Sequence, residues 1–251
     1  MLDLRLDEAW LSPLASNVPD GIHQMRKRGT LRTLQRGRYL VATDPDARGL
    51  RLDDLDPVAE AVLRRLDMDY YVSWHSALWH YGLIDQQSRR IYVAVTERKR
   101  PVTLGLASVR FVTATSRKFF GRTLVEDFEW PAWMATVEKA LIDSFDQPRL
   151  AAPLPVVANA LRSAHRDGLL DPERLVADAV RFNSPNLNRR LGFFMDLYGI
   201  PGTEPLALRV GRTYAVPLAP GRNPQGERLR VNRRWRVYED PAIIGTALEL
   251  K

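Results

Sequence analysis

The chain has 251 residues, of which 45% are hydrophobic and 27% charged, a composition typical of a folded protein with one large domain or two ordinary ones. Its formal net charge of +7 favours a polyanion as partner. The chain contains no cysteine, which excludes disulfides, thiolate metal sites and thiol catalysis.

The first residues, MLDLRLDEAW, have neither the basic start nor the apolar stretch of a secretory signal. No later stretch contains enough consecutive apolar residues to span a bilayer. We therefore expect a cytoplasmic protein without a membrane partner.

The first 43 or so residues predict a small unit of their own. Pro19 to Arg28 is expected to form a helix that ends at Gly29. Two strand-like runs follow, Thr30–Gln35 and Arg38–Ala42, joined across Arg36-Gly37 as a hairpin. Short helices followed by a basic hairpin predict a winged helix-turn-helix.

The charge of this unit indicates a contact with DNA. Residues 25–41, MRKRGTLRTLQRGRYLV, hold six basic residues, and no acidic residue occurs from Gly21 to Thr43. A merely solvated face would normally mix the two signs. A winged helix places one helix in the major groove and its hairpin against phosphates or the minor groove. The predicted DNA-binding residues are His23, Gln24, Arg26, Lys27, Arg28, Thr30, Arg32, Arg36 and Arg38.

Beyond a turn-rich, acidic linker at Asp44–Pro57, the pattern predicts a larger domain of helices and strands. Strands are expected at Arg90–Val95 and Ser108–Ala114, and Ser73 is expected to cap a helix. In the segment from Pro131, Met134, Val137, Leu141 and Phe145 recur at helical spacing and predict one buried helix. Further helices are expected to start at Pro155, Pro172 and Pro185, and strands at LALRV, TYAVPL and RWRVY near the C-terminus.

Five segments in this order resemble the AbiEi-type antitoxins, transcriptional regulators of bacterial phage-defence toxin–antitoxin operons. The segments are KRGTLRTLQRGRYLV, YYVSWHSALWHYGLIDQQSRRIYVAV, ATVEKALIDSFDQP, NRRLGFFMDLYG and RVNRRWRVY, and together they extend from about Met25 to Tyr238. The resemblance implies an α+β protein with an N-terminal winged helix-turn-helix at residues 1–50, followed by a larger mixed α/β antitoxin domain at residues 51–251. It also implies that the protein represses its own operon by binding double-stranded operator DNA. The resemblance further implies that it counteracts a nucleotidyltransferase-like toxin, by direct contact or otherwise.

A second basic cluster lies near the C-terminus, and arginine suits phosphate and carboxylate recognition there. It could serve nucleic acid or a toxin, while charges at a strand edge that block aggregation are the simpler explanation. The cluster consists of Arg209, Arg212, Arg228, Arg230, Arg233, Arg234 and Arg236.

Two other groups have ordinary explanations. His75 and His80 are five residues apart and would lie on different faces of a helix, which favours packing over metal binding. Glu138, Lys139 and Asp143 are expected to form the polar flank of an amphipathic helix.

We predict a non-enzymatic antitoxin regulator with no catalytic residues, cofactor or metal. One alternative is a DNA-binding transcription factor without a toxin partner. The other is a metal-dependent nuclease, in which Asp85 and Glu97 would hold a metal and Lys99 would assist the attacking water.

Overall fold

The computed structural model describes residues 2–4, 23–24, 27, 31–35, 38–41, 59, 62–64, 66–104, 107–126, 131–211, 214–221 and 229–250. These residues form a mixed α+β protein, as the sequence predicts. They divide into two compact units. The first comprises Met1–Asp69, Arg89–Ile91 and Arg98–Phe111, and the second comprises Tyr70–Ser88, Tyr92–Glu97 and Val112–Lys251. The predicted domain boundary near residue 50 stays a prediction.

The first unit contains a three-stranded antiparallel sheet. Its strands are β1 (Leu2–Leu4), β2 (Leu31–Gln35) and β3 (Arg38–Val41), in the order β1-β3-β2. Leu31 pairs with Val41, so β2 and β3 form the predicted hairpin. β1 is an additional strand that the sequence pattern did not reveal.

The rest of the first unit supplies apolar packing. Residues 59, 62 and 63 are helical, and Ala59 and Leu63 are buried. β6 (Val102–Leu104) and β7 (Ala107–Thr113) form an antiparallel pair, with Val102 opposite Val109. β2 lies against β6.

The second unit is built on strands in the order β5-β4-β9-β8. They are β4 (Tyr70–Ser73), β5 (Arg90–Val95, of which residues 92–95 belong to this unit), β8 (Arg122–Val125) and β9 (Ala132–Ala135). β4 is antiparallel to β5 and parallel to β9, and β8 is antiparallel to β9. All four residues of β4 are buried.

The described residues of this unit also form helices, of which the first two pack on its strands. They are α1 (His75–His80), α2 (Val137–Asp146), α3 (Pro148–Ala151), α4 (Leu154–Arg166), α5 (Pro172–Phe182), α6 (Pro185–Leu197), α7 (Glu204–Ala207) and α8 (Pro241–Glu249), with a 3₁₀ turn at Ser116–Lys118. The predicted starts of α5 and α6 are confirmed. The carboxylate of Asp171 accepts hydrogen bonds from two backbone N–H groups of α5, and the Ser184 hydroxyl accepts one from Leu187.

Three local predictions were wrong. Residues 132–135 form β9 rather than the start of a helix, because α2 begins only after Thr136, whose hydroxyl accepts from the Lys139 N–H. Ser73 is the last residue of β4 and does not cap α1. The N-cap residue of α1 is Trp74, whose side chain makes no capping hydrogen bond. LALRV continues from α7 into a turn, so it contains no strand.

Helix α2 is the centre of the second unit. It contacts α1, α3, α4, α5 and α6 as well as β4 and β9. Every residue from Val137 to Phe145 is therefore buried, including three with charged side chains. A helix enclosed on all sides has no solvent face on which to place charges.

The C-terminal part adds a small sheet and a helix. β10 (Val216–Pro217), β11 (Arg230–Asn232) and β12 (Val237–Glu239) follow the order β10-β12-β11, and α8 packs on α4. No helix among the described residues is both long and apolar enough to cross a membrane.

Candidate functional site

The predicted DNA-binding residues lie in the first unit. His23, Gln24 and Lys27 are helical and exposed, Arg32 lies in β2, and Arg38 lies at the start of β3 opposite Gln35. Arg26, Arg28, Thr30 and Arg36 lie outside the described residues. Their role in DNA binding stays a prediction.

The second basic cluster is built around the β11–β12 hairpin. Arg230 lies in β11, and Arg233, Arg234 and Arg236 lie in the turn between the strands. Arg209 is exposed after α7, while Arg212 and Arg228 lie outside the described residues.

One residue of the turn, Trp235, anchors the hairpin to α6. The indole is 1% exposed, and its Nε1–H donates to an Asp196 carboxylate oxygen at 2.7 Å. Its ring occupies the space that a Cβ would need at Gly192. Two segments that carry the resemblance, NRRLGFFMDLYG and RVNRRWRVY, are therefore one packing unit.

Arg190, also in α6, has a structural task. It is buried, and its guanidinium donates to the carbonyls of Phe145 and Leu218, both at 3.0 Å. The Phe145 carbonyl belongs to the last turn of α2, where carbonyls have no partner within the helix. Arg190 thus provides a hydrogen-bond donor for a carbonyl at the C-terminal end of the central helix α2.

A buried polar group that sequence reasoning missed lies where β4 meets α2. Lys139 is 0% exposed, and its amine forms an ion pair with the Asp143 carboxylate one turn later. The Ser73 hydroxyl donates to the other oxygen of Asp143 at 2.8 Å. The prediction of a polar helix flank was wrong here, because α2 is enclosed. Lys139 and Asp143 satisfy each other, and the Glu138 carboxylate accepts from the Asp171 N–H at 3.3 Å.

Aromatic rings surround the Lys139 amine. The rings of Tyr71, Phe120 and Phe182 have their centroids 5.0 to 5.2 Å from the nitrogen, within cation–π range. Gly121 has a positive φ of 68°, and a Cβ there would lie 2.9 Å from the Cβ of Lys139. The glycine therefore allows its segment to pass over the lysine.

Burial dominates the electrostatics of this pair. It lowers the pKa of the Lys139 amine, while the charge of Asp143 acts in the opposite direction. Burial likewise raises the pKa of the Asp143 carboxyl, against the effects of Lys139 and Ser73. Since the amine is inaccessible to solvent, a substrate cannot reach it in this conformation. The arrangement stabilises the fold rather than offering a reactive group.

Residues 70–194, which contain β4, α2 and most of α6, match the model of the family described as AbiEi antitoxin C-terminal domain. This stretch is an AbiEi antitoxin C-terminal domain. The match confirms the resemblance that the sequence motifs indicate, and the AbiEi domain supports a role as the antitoxin of a toxin–antitoxin system.

The fold of the chain has a counterpart among solved structures. It is similar to the crystal structure of the RV2827C protein from Mycobacterium tuberculosis, with a TM-score of 0.60 and 14% identity. The similarity covers 96% of this chain and 85% of that chain, and at this identity it shows the fold alone. No curated protein sequence matches the chain significantly.

The residues of the nuclease alternative have ordinary surroundings. Asp85 and Glu97 are exposed, and the Lys99 amine forms an ion pair with Asp67 at 2.9 Å. Within the part of the chain that the structure describes, no group of three or more histidine, aspartate or glutamate side chains could hold a metal ion. His75 and His80, at the two ends of α1, are both partly buried.

Proposed function

We propose that this protein is the antitoxin of an abortive-infection type toxin–antitoxin system. It binds operator DNA through an N-terminal winged helix, represses its own operon and counteracts a nucleotidyltransferase-like toxin. The match of residues 70–194 to the AbiEi antitoxin domain carries the proposal.

The geometry of the first unit supports the DNA-binding part. Three exposed helical residues, His23, Gln24 and Lys27, precede the β2–β3 hairpin. β1 joins this hairpin beside β3, giving the order β1-β3-β2. A sheet in which an early strand lies beside the second hairpin strand is typical of winged-helix domains. Arg32 and Arg38 would then bring positive charge to the wing.

The test of DNA binding uses the full chain and a DNA fragment from upstream of its own gene. Replacing Arg26, Arg32, Arg36 and Arg38 by glutamine should weaken binding strongly, because every phosphate that is no longer neutralised keeps its counterions. The slope of log K against log salt should become shallower by about 0.9 for each such phosphate. Unchanged affinity and slope would refute the N-terminal assignment.

The test of the antitoxin function co-expresses the protein with the product of the neighbouring reading frame. We expect the protein to restore growth, and the glutamine variant to do so equally well, since its AbiEi domain is intact. A transcription factor without a toxin partner would repress the operon but rescue no growth.

The nuclease alternative is tested by incubating the protein with DNA and Mg²⁺ or Mn²⁺. We expect no cleavage above that of a Lys99→Ala variant. Cleavage that disappears in this variant would replace the antitoxin proposal.

A further inference from the structure

The β11–β12 turn exposes Arg233 and Arg234, leaves Arg236 half-buried, and has a rigid base. Asn232 pairs with Val237, and the four residues between them are Arg233, Arg234, Trp235 and Arg236. The Asn232 carbonyl accepts from the Arg236 N–H at 2.8 Å, and the Asn232 side chain accepts from the Trp235 N–H at 3.0 Å. Because Trp235 is buried against α6, the position of the whole turn is fixed.

The arginines of the hairpin divide into two classes. Arg234 forms ion pairs with Asp196 at 3.5 Å and Glu204 at 2.9 Å, and Arg230 lies 3.5 Å from Glu239. These two charges are compensated within the fold. Arg233 and Arg236 have no ion pair with any described residue, and the exposed Arg209 has none either.

Positive charges converge beside the turn. Arg189 of α6 is buried, and its guanidinium donates to the Val210 carbonyl at 3.5 Å. Burial lowers the pKa of Arg189, and the nearby charge of Arg236 lowers it further. Tyr214, which is 85% exposed, is close enough to act in the opposite direction and raise the pKa of Arg189.

Arg236 itself adopts an uncommon backbone conformation. Its φ is 53°, and its carbonyl accepts from the Val216 N–H at 3.0 Å. A residue with a side chain in this region carries strain, and such residues concentrate at functional sites. The conformation places a cation at the end of the turn, where glycine would be the easier choice.

We infer that this turn, through Arg233 and Arg236, binds the phosphodiester backbone of double-stranded nucleic acid together with Arg209. Arg209 follows helix α7, whose Glu204 pairs with Arg234 of the turn. The second unit then carries a nucleic-acid contact of its own, outside the stretch that matches the AbiEi domain, and this inference does not rest on DNA binding by the N-terminal unit. Phosphate contacts require donors in a fixed position, which guanidinium groups on an anchored turn supply.

An acidic protein partner fits the turn less well. Protein interfaces generally place an apolar centre within a polar rim. The apolar side chain of this turn, Trp235, is directed into the core. Its ring packs against Gly192, and its N–H donates to Asp196. The other side chains of residues 233–236 are all arginines, so the turn itself offers charge without an apolar contact, and the exposed Leu208 and Tyr214 lie outside it.

The experiment measures the affinity of the full chain for DNA and RNA duplexes of about two helical turns over a range of salt concentrations. The test variant is Arg233→Gln/Arg236→Gln. The matched control, Arg166→Gln/Arg174→Gln, removes two exposed arginines from helices α4 and α5 of the same unit. Both pairs are also placed in the background of the N-terminal glutamine variant, and melting curves establish that each protein is folded.

The test variant should bind about tenfold more weakly than wild type at moderate salt, and its salt slope should be shallower by about 1 to 2. The control should change both quantities much less. A reduced affinity for both duplexes indicates backbone recognition, and a reduction with one duplex identifies which nucleic acid is bound. If the N-terminal variant retains binding while the turn variant does not, the N-terminal assignment fails and this inference holds. If the test and control variants behave alike in both backgrounds, the inference is overturned.

Discussion

The positive charges of the second unit occur in two contrasting settings. Lys139 and Arg190 are enclosed, and each is satisfied by named groups: a carboxylate and aromatic rings for the first, backbone carbonyls for the second. Arg233 and Arg236 lie on a surface turn without a carboxylate partner among the described residues. The same residue types are therefore satisfied within the fold in one region and lie on the surface without a described counter-charge in the other.

Partners and burial, rather than the density of charge in the sequence, decide what each of these cations does. Removing an enclosed charge should destabilise the protein strongly, because its buried partners, a carboxylate for Lys139 and backbone carbonyls for Arg190, would lose their compensation. Removing a charge from the turn should change binding and leave stability nearly unchanged.

The largest effect is expected for Asp143→Ala. It leaves the Lys139 amine in an enclosed site without its carboxylate, which costs about 3–5 kcal/mol of unfolding free energy. The double variant Lys139→Met/Asp143→Ala removes both charges and should be distinctly more stable than the single variant. Urea denaturation measures both, and a double variant less stable than Asp143→Ala would contradict the buried-pair interpretation.

Gly192→Ala should destabilise the protein by about 1–3 kcal/mol, because the new Cβ overlaps the Trp235 ring. In a Trp235→Leu background the penalty should largely disappear. Gly245→Ala in α8 is the matched control: its Cβ would meet no atom within 4 Å, and alanine there should stabilise by about 0.5–1 kcal/mol. Thermal melts of these proteins decide whether the clash or helix propensity dominates.

A smaller effect concerns His75. Burial of its imidazole lowers its pKa below the ordinary value of 6.5. As pH falls below about 6.5, the unfolded state takes up a proton before the folded state does, so stability decreases. Above that pH the contribution of His75 is constant. In His75→Gln the free energy of unfolding should depend less on pH below 6.5 than in the wild type. An unchanged pH dependence in urea titrations would contradict the lowered pKa of His75.

The smallest effect is expected for Arg230→Ala. The side chain is 85% exposed, and its ion pair with Glu239 at 3.5 Å is in contact with solvent. Exposed ion pairs contribute about 0–1 kcal/mol, and added salt should reduce even that. A destabilisation above about 1.5 kcal/mol in urea denaturation would show that the hairpin depends on this pair.

Elements with local signals could be predicted from the sequence. Asp171-Pro172 and Ser184-Pro185 combine a capping side chain with a helix-starting proline, and both begin helices as expected. The β2–β3 hairpin likewise follows from its alternating pattern and the glycine between its strands.

The remaining features depend on distant partners. Met134 continues the spacing of α2 by coincidence, since β9 and α2 both direct apolar residues into the same core. The burial of Lys139 follows from the five helices around α2, which no local pattern encodes. The C-terminal arginines were recognised as a group, but the sequence could not separate Arg234, which is paired with Asp196 and Glu204, from its neighbour Arg233.

The insertion of Trp235 beside Gly192 determines how this part of the protein opens. The side chain lies in the middle of the turn, so the hairpin cannot separate without exposing the indole and the adjoining face of α6. Segments joined in this way open as one cooperative unit. Amide hydrogens of the turn, such as that of Arg236, should then exchange with solvent as slowly as those in the middle of α6. A surface hairpin held only by its own strands would exchange much faster.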